Sequence, residues 1–170
     1  MAVGARDRAI VLLLARLGLR AGDVIALRHD DLDWQRGSLR VAGKGRRESL
    51  LPLPQEVGDA ILAYLEPGGL PGETRHVFTR GHAPRGPLAT SGAVSRIVMR
   101  AMRRAGVQAP SRAHALRHSA ATTMLRDGMS LDTIATVLRH RSCETTAHYA
   151  KVDVGLLGQI AQPWPEVAPW

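Results

Sequence analysis

Apolar residues recur at helical spacing along most of this 170-residue chain, and a single segment breaks that period. Between residues 31 and 53, Leu39 and Val41 lie two positions apart, which is the spacing of a strand with one buried face. Gly43-Lys44-Gly45 then predicts a turn, and residues 48–53 predict a returning strand. We therefore expect an α+β fold that is mainly α and contains one small antiparallel β-sheet.

Helical patterns and helix-start signals predict seven helices around this sheet. Residues 66–90 are rich in Gly and Pro, so they predict a loop with one short extended piece at Val77-Phe78. Ser130 is expected to cap the helix that follows it. The core residues of that helix are expected to be Leu131, Ile134, Ala135 and Leu138. The predicted helices cover residues 8–19, 23–27, 54–65, 91–105, 113–127, 131–139 and 144–150.

The chain is basic, and its charges are unevenly distributed. The net charge is +8, and no acidic residue occurs between Glu73 and Asp127 although ten arginines do. Such a block indicates either a polyanionic partner or a solvated basic face. Since only 4% of the residues are aromatic, binding of single strands by base stacking is disfavoured and the backbone of a duplex is the better partner. The ten are Arg75, Arg80, Arg85, Arg96, Arg100, Arg103, Arg104, Arg112, Arg117 and Arg126.

Several classes of protein are disfavoured by what the sequence lacks. No apolar run approaches the roughly 20 residues that a membrane-spanning helix needs. The longest run, Ala9 to Ala15, is followed by Arg16. There is no signal-peptide pattern, and a single cysteine, Cys143, excludes an internal disulfide. We therefore expect a cytoplasmic protein of one domain with no membrane partner.

The last third of the chain carries an ordered set of polar residues that suits cleavage of a phosphodiester bond. Transesterification requires a nucleophile, cations on the non-bridging oxygens, a proton acceptor and a proton donor. Tyr149 can be the nucleophile, although a tyrosine hydroxyl ionises in water only near pH ~10, so nearby positive charge must help. The set comprises His114-Ala-Leu-Arg117-His118, Leu138-Arg139-His140 and His148-Tyr149, with Arg20 and Lys44 upstream.

The cations and histidines of this set can supply the other functions. Arg117 lies three residues after His114 on a predicted helix, so both side chains project from one face. Arg20 and Arg117 can hold the phosphate, because a guanidinium presents a planar fork of donors. Lys44 can act as an acid from the tip of its turn. His114 and His140 can exchange protons or donate hydrogen bonds to the phosphate.

These residues resemble the catalytic domain of the tyrosine recombinase (phage integrase) family, from about Arg6 to Val152. The first half of that domain is matched by Gly18-Leu19-Arg20, residues 23–27, residues 31–33 and Gly43-Lys44-Gly45. The second half is matched by residues 114–122, residues 138–142 and His148-Tyr149-Ala150.

The resemblance implies a helical catalytic domain that carries out site-specific DNA recombination, either integration or excision, without a metal or any other cofactor. Tyr149 would form a 3′-phosphotyrosyl intermediate, Lys44 would be the acid for the leaving oxygen and His114 the general base. Arg20 and Arg117 would clamp the phosphate, with His140 as a hydrogen-bond donor. The implied catalytic set is Arg20, Lys44, His114, Arg117, His140 and Tyr149.

The resemblance also implies partners and supporting residues. Double-stranded DNA and other recombinase protomers are the expected partners, at the nucleoid, and no small-molecule substrate is expected. Asp23 and His118 are expected to orient the catalytic residues without contacting the DNA themselves. The residues expected to contact DNA are Arg46, Arg47, Arg112, Arg139 and Arg141.

The chain departs from the family pattern at two positions and in its extent. Gly22-Asp23 stands where the family usually has Ser-Glu, and Arg139 stands where it usually has a glycine in a tight turn. We expect residues 1–155 to form the catalytic domain and residues 156–170 to form a tail that docks onto another protomer. An N-terminal core-binding domain is expected to be missing.

Other interpretations stay open. Residues 124–142 also suit a helix-turn-helix, which would make the chain a DNA-binding helper without catalysis or a truncated remnant of a mobile-element integrase. A topoisomerase of the same chemistry is a third possibility. His114 and His118 have a spacing seen in zinc sites, but the adjacent glutamate of a metalloprotease helix and an obvious third ligand are both lacking, so a metal is not expected.

Overall fold

The computed structural model describes residues 2–42, 48–66, 74–81, 86–107 and 113–139. Helices dominate these ranges and one three-stranded antiparallel sheet accompanies them, which confirms the expected fold class. In chain order the elements are α1 (Ala2–Arg16), α2 (Ala21–Ala26), β1 (Leu32–Asp33), β2 (Ser38–Ala42), β3 (Glu48–Pro52), α3 (Gln55–Leu65), α4 (Ser91–Arg104), α5 (Ala113–Arg126) and α6 (Leu131–Leu138), with a short 3₁₀ turn at His29–Asp31 before β1.

The sheet has the order β1-β2-β3, and its alternation of buried and exposed residues is the one that the sequence predicts. Leu39 of β2 pairs with Leu51 of β3 and with Leu32 of β1, and all three side chains are buried. Arg40 and its partner Leu50 lie on the opposite face and are exposed. The predicted turn between β2 and β3 lies outside the described residues.

Helix α1 is the centre of the core, in contact with α3, α4 and α5. Ile10, Leu13 and Leu14 are fully buried there. The predicted bounds of this helix, 8–19, were wrong at both ends. The helix starts earlier because buried polar residues interrupt the apolar pattern of its first turns, and it ends earlier because Gly18 has a φ of +59°.

The other described helices lie within two residues of their predicted bounds. Ser130 caps α6 as predicted, since its hydroxyl accepts a hydrogen bond from the Thr133 N–H at 3.2 Å. Of the predicted core residues of α6, Leu131 is only partly buried and the other three are buried. Helix α6 ends at Leu138 rather than Arg139, because Arg139 adopts a left-handed conformation.

The extended piece predicted at Val77-Phe78 is confirmed. Both side chains are fully buried, and the Val77 N–H donates to the Leu27 carbonyl at 2.9 Å. The ring of Tyr64 on α3 stacks on Phe78 with 5.7 Å between centroids. The predicted helix at 144–150 and the tail at 156–170 lie outside the described residues. No helix in the described part of the chain is long and apolar enough to cross a membrane.

Candidate active site

Arg20 stands at the junction where the α1–α2 connection becomes helix α2. Its backbone is extended, with φ −79° and ψ 154°, and its N–H donates to the Asp23 Oδ2 atom at 2.7 Å, so Asp23 caps the first turn from inside the helix. The exposed Arg20 side chain reaches the end of α6, where its Nη2 donates to the Arg139 carbonyl at 3.0 Å. One residue thus connects two elements that are distant in sequence.

Arg117, on α5, also connects the α1–α2 connection to the end of α6. Its side chain is buried, and its Nη1 and Nη2 donate to the carbonyls of Gly18 and Leu138. Those carbonyls lie two residues before Arg20 and one residue before Arg139. A buried guanidinium that joins two backbone segments in this way holds them in a fixed relation.

Gly18 permits this close approach. Its φ of +59° lies in the left-handed region, and a Cβ at this position would overlap the Cδ2 atom of Leu138. Only the lack of a side chain lets the end of α1 pack directly against the end of α6. The sequence pattern does not reveal this contact, because Leu138 lies 120 positions further along the chain.

Arg139 follows the last residue of α6 and has φ 54° and ψ 47°, which is the left-handed conformation. Among the described residues, every other residue with a positive φ is a glycine. The tight turn expected at this family position is therefore present. Its Nη2 lies 2.5 Å from the Asp23 Oδ2 atom, and the two side chains are only 7% and 12% exposed. Asp23 and Arg139, which are distant in sequence, therefore meet in one ion pair. This buried placement differs from the DNA contact that we expected of Arg139.

His114 and His118 lie on α5, one turn apart. His114 is exposed in the first turn of the helix, whereas Arg117 on the next turn is buried. His118 is partly buried and has an interaction partner. In the ranges that the structure describes, no three His, Cys, Asp or Glu side chains are grouped so as to hold a metal ion.

The structure brings together Arg20, Asp23, Arg117 and Arg139 from the predicted site. His114 and His118 lie on α5, and the other predicted residues lie outside the described residues. These are Lys44, Arg46, Arg47, Arg112, His140, Arg141 and Tyr149.

One expectation about the acid-free block needs correction. Arg100 and Arg104 of α4 are exposed, but they are not without a counter-ion, since they lie 3.2 and 3.8 Å from the Oδ2 of Asp7 on α1. Arg6 pairs with the same carboxylate at 2.8 Å, and Asp7 itself is buried. The counter-ion comes from a distant segment, and therefore charge spacing along the sequence could not reveal it.

Known proteins share both the sequence pattern and this architecture. A model described as the phage integrase family matches residues 2–155. A protein of Sinorhizobium fredii named as an integrase/recombinase, y4rA, is 49% identical over 166 residues, which are 96% of this chain and 40% of that protein. Another protein of that organism, y4gC, is 38% identical over 95% of this chain and 84% of its own length.

Solved structures agree with this assignment. The crystal structure of the XerA recombinase matches with a TM-score of 0.80 and 26% identity, over 93% of this chain and 57% of that one. The match confirms the fold of a tyrosine recombinase catalytic domain. The chain spans about two fifths of the length of y4rA. On its sequence, its fold and its matches, the chain belongs to the phage integrase family.

Proposed function

We propose that this chain is the catalytic domain of an enzyme for site-specific DNA recombination. The observation that carries the proposal is that two arginines from distant segments converge on the end of α6: Arg117 donates to the carbonyls of Gly18 and Leu138, and Arg20 donates to the carbonyl of Arg139. The exposed Arg20 side chain suits a phosphate, because a guanidinium is a fork of donors, and the buried Arg117 holds together the two segments beside it. Membership of the phage integrase family supports the same function.

The proposed chemistry is a transesterification in which bonds are exchanged rather than hydrolysed. The Tyr149 oxygen forms a bond to the phosphorus while the bond from phosphorus to the 5′ oxygen breaks, leaving a 3′-phosphotyrosyl link and a 5′-hydroxyl. His114 accepts the tyrosine proton, and Lys44 donates a proton to the departing oxygen. A 5′-hydroxyl of a partner strand reverses these steps.

The cations stabilise the charge that develops on the non-bridging oxygens in the transition state. Arg20 and Arg117 are assigned to those oxygens, together with His140. The described contacts support a fixed position for Arg20, whose side chain is exposed yet held by the Arg139 carbonyl. Fixed donors need little reorganisation during the reaction, so loss of one typically slows the chemical step by about 10²–10³-fold.

Double-stranded DNA is the proposed substrate, and the cytoplasm at the nucleoid is the proposed place of action. One solved relative, XerH, is described as bound to its palindromic difH substrate in a post-cleavage complex. In this chain, Arg96 and Arg103 of α4 are exposed and make no ion pair within the described residues. We assign a role in backbone contacts to these two arginines. The set Arg46, Arg47, Arg112 and Arg141 is assigned the same role from the sequence, and residues 156–170 are assigned to docking between protomers.

Covalent trapping tests the proposed function. The full chain is incubated, without added metal, with nicked duplex fragments prepared from the total DNA of its source organism. Protein-linked DNA is then isolated under denaturing conditions and sequenced. We expect adducts at a defined site, and we expect Tyr149→Phe to abolish them while DNA affinity stays nearly unchanged.

The chain offers a matched control, because it contains two tyrosines. The Tyr64 hydroxyl forms a hydrogen bond with the Thr79 hydroxyl at 3.2 Å, and Tyr64→Phe removes the same atom without touching the site. This variant should still form the adduct. Adducts that persist in Tyr149→Phe would contradict the assignment of the nucleophile.

A DNA-binding helper without catalysis is the second candidate function. Helices α5 and α6, joined through Gly128 with a φ of +83°, form the compact helix pair that favours it. In that case the wild-type chain would bind duplex fragments reversibly and leave no adduct on any of them.

A further inference from the structure

Asp23, Arg20 and Arg139 form a closed ring of hydrogen bonds at the end of α6. The Asp23 Oδ2 atom accepts from the Arg20 N–H at 2.7 Å and from the Arg139 Nη2 at 2.5 Å. The ring closes where the Arg20 Nη2 donates to the Arg139 carbonyl at 3.0 Å. Arg139 lies 116 residues from Asp23 and 119 from Arg20 along the chain, so only the fold creates this ring.

The Arg139 side chain is held inside the protein rather than offered to solvent. Its Nε and Nη1 atoms are buried and have no hydrogen-bond partner among the described residues, so the bond from Nη2 to Asp23 is the polar contact made by this guanidinium. A buried cation requires a counter-charge, and Asp23 supplies it.

The backbone at Arg139 also needs this ion pair. Its φ of 54° is unfavourable for a residue with a Cβ, and glycine would adopt it without that cost. The contact with Asp23 offsets the cost and fixes the direction of the Arg139 carbonyl. That carbonyl accepts the hydrogen bond from the Arg20 side chain.

We propose that Arg139 is a positioning residue for Arg20: the Asp23–Arg139 ion pair holds the Arg139 carbonyl where it accepts a hydrogen bond from the Arg20 guanidinium. The consequence for catalysis rests on the proposed function, in which Arg20 contacts the phosphate. Glycine could adopt this left-handed conformation without strain, but it would lack the side chain whose ion pair with Asp23 fixes the direction of the carbonyl.

The kinetic test compares Arg139→Gly and Arg139→Lys with the wild-type chain on DNA fragments selected in the trapping experiment. At saturating DNA, Arg139→Gly should slow adduct formation roughly 10- to 100-fold, because small misplacements of a catalytic group have effects of that size. Arg139→Lys should recover part of the rate, since its ammonium can still donate to Asp23. Arg36→Gly, which removes an arginine of an exposed surface ion pair with Asp33, is the matched control and should not change the rate.

Two readouts separate positioning from other roles. In an Arg20→Lys background, Arg139→Gly should cause little further loss of rate, because both changes act through the same side chain. A full multiplicative loss there would overturn the proposal. The slope of log affinity against log salt should be unchanged in Arg139→Gly, whereas a decrease of about one would show that Arg139 contacts a phosphate directly.

A measurement without DNA keeps the inference independent of the proposed function. ¹⁵N relaxation of the Arg20 Nε–H in the free chain should report a restricted side chain in the wild type and a mobile one in Arg139→Gly. Equal mobility in the two proteins, or a wild-type rate of adduct formation in Arg139→Gly, would overturn the proposal. Failure of the wild type to form any adduct would instead overturn the proposed function and leave the relaxation result as the test of positioning.

Discussion

At the residue scale, the candidate site depends on two positions where the backbone is left-handed, Gly18 and Arg139. Gly18 meets its conformational requirement by having no side chain, whereas Arg139 meets it through an ion pair with Asp23. The guanidinium of Arg117 donates to the carbonyl of Gly18 and to that of Leu138, the residue before Arg139. Arg20 and Arg117 are therefore both held by backbone carbonyls.

Gly18→Ala should lower the free energy of unfolding by about 2–4 kcal/mol, because it adds a left-handed penalty and a steric overlap with Leu138. Gly37→Ala is the control, since Gly37 has a φ of +58° but no atom within 4 Å of its would-be Cβ. It should cost only the conformational part, about 1–2 kcal/mol. Urea unfolding of both variants measures the difference, and equal losses would contradict the packing argument.

The Asp23–Arg139 pair should behave asymmetrically in a double-mutant cycle. Asp23→Ala leaves a buried cation unpaired and should cost about 3 kcal/mol. Arg139→Gly also relieves the backbone strain at φ 54° and should cost clearly less. The double variant should be more stable than Asp23→Ala alone. Urea unfolding measures all four proteins, and additive losses would show that the two side chains do not interact.

At the element scale, helical periodicity predicted most helices because their apolar faces follow a regular spacing. Helix α4 is an example, with Val94, Ile97 and Val98 buried. The first turns of α1 escaped prediction, since Arg6 and Asp7 occupy buried positions there. Arg6 and Asp7 form an ion pair with each other, and Asp7 also pairs with two arginines of α4. Ion pairs between distant elements do not appear in the spacing of apolar residues along the sequence.

Asp7→Asn tests this link between α1 and α4. The variant removes the negative charge that faces Arg6, Arg100 and Arg104, so it should lower the free energy of unfolding by about 2–4 kcal/mol. Glu56→Gln is the control, because Glu56 pairs with Arg16 at the surface, where such pairs contribute about 0–1 kcal/mol. Thermal or urea unfolding that gave equal losses would contradict a buried role for Asp7.

At the scale of the whole molecule, the positive charge divides into arginines with internal partners and arginines that face solvent. Arg6 donates to Asp7 and to the Thr79 carbonyl and so belongs to the first kind. Arg96 and Arg103 are exposed. The total of 23 lysines and arginines therefore overstates the number of cations that a duplex can meet.

DNA binding as a function of salt concentration tests this division. Arg96→Ala and Arg103→Ala should each reduce the slope of log affinity against log salt by about one, because each removes one phosphate contact. Arg36→Ala, which removes an exposed arginine of the β1–β2 turn, should leave the slope unchanged. Slopes that do not change in either α4 variant would place the duplex on another surface.

The sequence by itself determined the family, the mainly helical fold with one small sheet, and the residue types of the candidate site. These follow from local periodicity and from motifs that depend on neighbours within a few positions. Only the tertiary structure decided which residues hold one another: Arg117 between Gly18 and Leu138, and Asp23 with Arg139. These contacts join residues 21 to 116 positions apart, and their energies arise from burial and geometry that exist only after the chain has folded.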